Sequence, residues 1–187
     1  MTLAKKMGRK YTLQDYLTWP DEERWELISG TAYNMTPAPS LKHQSVAGSL
    51  YRILGNKLMG TLCKPFIAPI DVVLSEQDVV QPDIIVVCDK KKITEANIQG
   101  APDLVVEVLS PSTAIKDKRE KKALYEKHGV REYVLIDPNE NYIERFMLSD
   151  GIFGSPEIYG PGEALVLKSL EGMEVPLNEV FETEDKS

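Results

Sequence analysis

Short β-branched apolar runs alternate with two stretches of helical period along this chain, a pattern that predicts a sheet covered by helices. The run Leu104-Val105-Val106-Glu107-Val108-Leu109 has five apolar residues of six and reads as a strand covered on both faces. A second run, Ile84-Ile85-Val86-Val87, follows Gln81-Pro82-Asp83. Glu132 to Ile136 is a third. Between the first and third runs, Ser112-Thr113 opens a helix over about Ala114 to Lys127, closed by His128-Gly129 as a glycine C-cap. Strand, helix, strand in that order predicts a βαβ unit with parallel neighbouring strands.

Upstream, Thr12 caps a short helix over Leu13 to Leu17. Trp25 to Ile28 and Thr31 to Met35 form a hairpin around Ser29-Gly30. Pro37 to Ser40 then breaks the chain and starts a long helix, roughly Leu41 to Met59. His43, Val46, Ala47, Leu50, Leu54 and Leu58 share one face of it, at about 100° per residue. Lys64 to Leu74 and Val79 to Val87 read as two strands, and Asp89 to Gly100 as a lysine-rich loop with a short helix. Tyr142 to Tyr159 reads as a meander, followed by a short strand at Val166-Leu167 and a last helix near Leu177 to Phe181. The fold class is therefore α/β, a central mixed sheet flanked by helices with additional antiparallel strands. A single domain is expected over the 187 residues, with loose tails at 1–10 and 182–187.

Composition is that of a globular protein: 42% hydrophobic, 27% charged. No apolar run approaches the ~20 residues that span a bilayer, and cytoplasm is the expected compartment. Two histidines and two widely spaced cysteines argue against a structural zinc, and Cys63 and Cys88 are expected as small buried hydrophobes. The net charge of −7 is not that of a dedicated nucleic-acid binder. Local basic segments, Lys116 to Lys127 above all, leave that partner open.

Glu107 is the informative residue. A bare carboxylate inside an apolar strand costs several kcal/mol unless a cation pairs with it or a proton neutralises it. Asp83 heads a neighbouring run, so both acids could meet at strand ends. On the crossover helix Lys121 shares the arc of Leu124 and His128, with Lys116, Arg119 and Glu120 pointing elsewhere. Two carboxylates suit Mg²⁺, and a lysine can orient or deprotonate water and stabilise developing charge. Alternatively, Glu107 and Lys121 form only a buried ion pair. Glu26 could be a further ligand or a solvent-face residue, and His43 a packed or a catalytic histidine. Asp103 lies about 13 Å from Glu107 along an extended strand and reads as structural.

Pro82-Asp83 followed by Glu107 resembles the PD-(D/E)xK nuclease superfamily. More closely, Pro102 to Thr113, then Asp117, Lys121, Tyr125, Gly129 to Tyr133 and Asp137-Pro138, is similar to the Uma2 family, also called DUF820. Trp25 to Gly30 and Pro37 to Ser40 with His43 fit its N-terminal part, so the resemblance spans about Tyr11 to Phe181. It implies a restriction-endonuclease-like core and an Mg²⁺-dependent (or Mn²⁺-dependent) endonuclease acting on DNA. Asp83 and Glu107 would be metal ligands and Glu26 a further acid; the residues themselves add Lys121 to position or activate water and His43 as an assisting catalytic residue, and a homodimer is the simplest form that cuts both strands. One departure matters: Leu109 stands where the superfamily has its lysine, and Lys121 is expected to replace it from the adjoining helix. A non-catalytic nucleic-acid-binding or interaction module on the same scaffold is the alternative.

Overall fold

The computed structural model describes residues 5–6, 9–20, 23–35 and 38–183. Among them two mixed sheets face each other. The first carries β1 (Lys5–Lys6), β2 (Trp25–Ile28), β3 (Thr31–Asn34), β5 (Val72–Ser75), β6 (Asp78–Val80) and β8 (Ile98–Gln99), in the order β1-β3-β2-β6-β5-β8. The second carries β4 (Lys64–Ile67), β7 (Ile84–Val87), β9 (Leu104–Val108), β10 (Glu132–Asp137), β11 (Tyr142–Ser149) and β12 (Ile152–Phe153), in the order β12-β11-β10-β9-β7-β4. β13 (Glu157–Tyr159) pairs with β11, and β14 (Ala164–Leu167) forms a separate hairpin with β15 (Met173–Pro176). The predicted βαβ unit is present: β9 and β10 run parallel, with Glu107 opposite Leu135.

The short helix α1 (Leu13–Tyr16) is capped by Thr12, and helix α2 (Leu41–Lys57) lays Val46, Ala47, Leu50, Ile53 and Leu54 on one face of the second sheet, over Ile84, Val86, Val106 and Val108. Strand alternation then turns Val105, Glu107 and Leu109 to the opposite face, towards the first sheet and the crossover helix. There they join Ile28, Val80, Tyr125 and Tyr133. Glu107 is therefore held between the two sheets.

The two long strands expected at 64–74 and 79–87 are each two strands that belong to different sheets. Pro69 and Pro82 have no N–H to continue a ladder, and the chain changes sheet beside each. The strand Met173–Pro176 was not legible beside Val166-Leu167. Cys63 and Cys88 are not isolated hydrophobes; they form a disulfide. β4 and β7 are antiparallel with Lys64 opposite Val87, so the two cysteines just beyond their ends face each other. That pairing depends on a register the sequence does not show. The expected loose tails fall partly outside the described residues; within them Lys5 and Lys6 pair with β3, and Glu182 accepts a hydrogen bond from Ser49 Oγ at 2.9 Å. No helix among the described residues is long and apolar enough to cross a membrane.

Candidate active site

The crossover helix holds the key to the site. It begins as α3 (Ala114–Lys116), widens into a π-helical turn over Asp117–Lys121, and resumes as α4 (Lys122–His128). A π turn aligns residues five apart rather than four. Lys116 and Lys121 consequently point the same way, and Lys116, expected to face elsewhere, is buried beside the site. A uniform 100° wheel cannot anticipate this.

Both lysines reach Glu26 from β2. Lys116 Nζ lies 2.6 Å from Glu26 Oε2 and Lys121 Nζ 2.8 Å from Glu26 Oε1. The Gln81 N–H also donates to Oε1 at 3.1 Å. Glu26 is thus an inward residue and not a solvent-face one, with no exposed surface. Lys121 Nζ also lies 2.8 Å from Glu107 Oε1 and 3.7 Å from Asp117 Oδ1. The Tyr125 hydroxyl donates to the same Glu107 oxygen at 2.7 Å. Asp83 sits at the head of β7, beside Glu107 because β7 and β9 pair with Ile84 opposite Val106. Its Oδ2 accepts from the Val108 N–H at 2.8 Å and lies 3.2 Å from His43 Nε2.

All five residues singled out from the sequence converge on this region, and four of them, Asp83, Glu107, Lys121 and His43, line one cleft of about 450 Å³. Arg24, Ser40, Gln81, Ser110, Ser112, Lys116 and Asp117 complete much of its polar wall. Asp103 is structural, as expected: it accepts from the Cys88 N–H and pairs with Arg131 at 3.2 Å. Lys116, Asp117, Tyr125 and Gln81 were not foreseen as part of the site. Asp117 and Tyr125 carried a signal, four residues before and after Lys121 on the same helix; Lys116 and Gln81 did not. The basic segment from Lys116 to Lys127 is also no open cationic patch. Lys118 pairs with Glu144, Lys127 with Asp78, and Lys122 lies over the Phe146 ring.

Charge decides the chemistry. Glu26, Asp83, Glu107 and Asp117 bring four carboxyl groups against two lysines and one histidine. Burial acts to raise the pKa of Glu26, but the two ammonium groups outweigh it and hold the carboxyl below its usual range. Glu107 shares Lys121 with two competitors. Burial pushes it up, Lys121 opposes, and Asp117, Asp83 and Glu26 push it up further, so it holds a proton more readily than an ordinary carboxyl. Burial alone would discharge Lys121, yet Glu107, Glu26 and Asp117 keep it an ammonium, its pKa well above the normal value. Burial and the Glu107 charge raise Tyr125 well above an ordinary phenol, so it remains a donor. Burial disfavours charge on His43, but its hydrogen bond to Asp83 and the Asp83 charge raise its pKa overall.

This arrangement, acids on adjacent strands with a lysine from the crossover helix beside a cleft, defines a mixed α/β protein with a charged site between two sheets. Residues 13–178 match the Uma2 family, described as "Putative restriction endonuclease", and the chain belongs to that family. Its fold is similar to the crystal structure from Anabaena variabilis described as "a putative nuclease belonging to DUF820". The TM-score is 0.74 at 22% identity, over 91% of this chain and 97% of that one. A curated relative, "Uncharacterized protein slr1290" from Synechocystis, is 28% identical over 165 residues, 86% of each chain.

Proposed function

We propose that this protein is a divalent-metal-dependent endonuclease that hydrolyses DNA phosphodiester bonds, working as a homodimer. The observation that carries the reading is Lys121 Nζ, 2.8 Å from Glu107 at the cleft, where Asp83 also lies. Buried carboxylates in excess of their cations are what a dication would neutralise. Among the described residues no group of three or more His, Cys, Asp or Glu is placed to hold a metal. Two carboxylates nevertheless fit Mg²⁺, which retains several waters and also takes phosphate oxygens; Mn²⁺ fits the same donors. Asp83 and Glu107 would hold the ion, which would supply Lewis-acid polarisation of a phosphoryl oxygen. Lys121, kept charged, serves as a donor that stabilises negative charge and not as a base. Glu26 fixes Lys121 in place, and His43 orients Asp83.

A second reading has its own observation. Glu107 Oε1 is already occupied by both Lys121 and Tyr125. That geometry suits a closed ion pair in a non-catalytic nucleic-acid-binding module. Nicking of supercoiled plasmid in Mg²⁺ or Mn²⁺ separates the two. The enzyme reading expects cleavage that EDTA abolishes and that the isosteric Glu107→Gln lowers by about 100-fold or more. Equal cleavage by wild type and variant would expose contamination and defeat it. DNA binding without cleavage across both metals would establish the second reading.

A further inference from the structure

A second cleft, of about 320 Å³, adjoins the first and shares Arg24, Pro69 and Gln81 with it. Its other walls include Tyr16, Trp19, Trp25 and Asp71. The aromatic rings form one cluster: Trp19 stands 5.6 Å from Tyr16 and 5.7 Å from Trp25, centroid to centroid. A polar chain runs along its floor. The Tyr16 hydroxyl and Gln81 Nε2 both donate to Asp71 Oδ1 at 2.8 Å, and Arg24 donates twice to Gln81 Oε1, at 3.0 and 2.8 Å. Gln81 therefore fixes Arg24 on the wall between the clefts.

We propose that this aromatic cleft is a subsite for one unpaired nucleobase of the DNA strand whose phosphate occupies the neighbouring cleft; it rests on the nucleic-acid reading above. Three features select that occupant. Aromatic side chains take the faces of bases, and those faces are available only when a base has left its stack. The Asp71 carboxylate at the floor, beside a Gln81 amide already engaged by Arg24 and Tyr16, offers an acceptor to the amino donors of a base edge. The guanidinium of Arg24, on the shared wall, suits the phosphate that joins two consecutive nucleotides, one in each cleft. A fully paired duplex offers the second cleft nothing to stack. The preferred substrate class is accordingly single-stranded DNA, or duplex with a bulge, flap or mismatch.

The test uses the chain's own reporters, since both of its tryptophans, Trp19 and Trp25, line this cleft. The full-length Glu107→Gln protein is titrated with three labelled oligonucleotides in Ca²⁺. These are a blunt duplex, the same duplex with a one-nucleotide bulge, and the bulge made abasic. Anisotropy reads binding and tryptophan emission reads stacking. The expected result is quenching by the bulged base alone, with about 10-fold tighter binding than the abasic form, as one stacked base provides. Adding Trp19→Ala should cut the affinity ratio of bulged over blunt duplex about 10-fold, and Trp19→Phe should restore most of it. Circular dichroism checks that each variant folds. Binding of all three DNAs with equal affinity and unchanged emission overturns the subsite and leaves the DNA reading intact. No binding of any of them overturns both.

Discussion

Lys116 and Lys121 hold the two oxygens of the same carboxylate, Glu26, because the turn between them is π-helical. Lys121 also serves Glu107, so its loss leaves Glu107 without its lysine and Glu26 with Lys116 alone. Lys121→Met should destabilise the protein by about 3–5 kcal/mol, the cost of breaking a buried pair by removing one partner. Lys116→Met leaves Glu26 with Lys121 and should cost less. Urea unfolding of both variants against wild type checks the order; an equal or reversed pair of costs would contradict the shared-lysine arrangement.

Tyr125→Phe removes one donor from Glu107 without changing the shape of the ring. Its hydroxyl donates to a buried acceptor, so the expected cost is about 2 kcal/mol in stability. On the proposed endonuclease function, metal-dependent nicking should fall about 10-fold, because Glu107 loses part of what aims it. Plasmid assays beside thermal melts read the two effects separately.

Acid sensitivity should be traceable to Asp78. Burial acts to raise its pKa, but the Ser29 N–H, His128, Lys127 and Ser75 outweigh it and bring it to about 2. A carboxyl depressed in the folded state binds protons more readily when unfolded. Its stabilisation is full above the ordinary value of 3.8 and is lost as pH falls towards 2. The window is therefore about pH 4 to 2, and the amount roughly 2 kcal/mol. Asp78→Asn should be less stable at pH 6, and its deficit against wild type should shrink across that window. Chemical denaturation at a series of pH values measures it.

Gly129 ends α4 with a φ of +79°, in the left-handed region, and no heavy atom lies within 4 Å of where a Cβ would stand. The cost of Gly129→Ala is then conformational alone, about 1 kcal/mol. A shift of similar size in urea unfolding, with nicking unchanged, is the expected outcome.

Much of this was readable from the chain. Periodicity located α2, the crossover, β9 and β10, and the isolation of Glu107 in an apolar strand called for a cation that Lys121 does supply. The misreadings share a cause: each depended on partners distant in sequence or on departures from ideal geometry. Continuous apolar runs hid the sheet changes at Pro69 and Pro82, because a strand's pattern is the same whichever sheet it joins. Cys63 and Cys88 could be matched only through the β4–β7 register. Lys116 was misplaced by the π turn, which an average helical pitch conceals. Glu26 was ambiguous because both faces of β2 are buried, and alternation has nothing to report there.

The order in which the chain leaves the ribosome gives the Lys116–Lys121 turn a further consequence. Glu26, Asp83 and Glu107 are all synthesised before either lysine. A nascent chain that stops short of residue 116 holds Glu26 and Glu107, two acids destined for the interior, and neither of the ammonium groups that pair with them. Collapse of the two sheets at that stage would entomb uncompensated negative charge, which is strongly disfavoured. The charge of these acids should therefore oppose closure of the two sheets until the crossover helix brings its lysines.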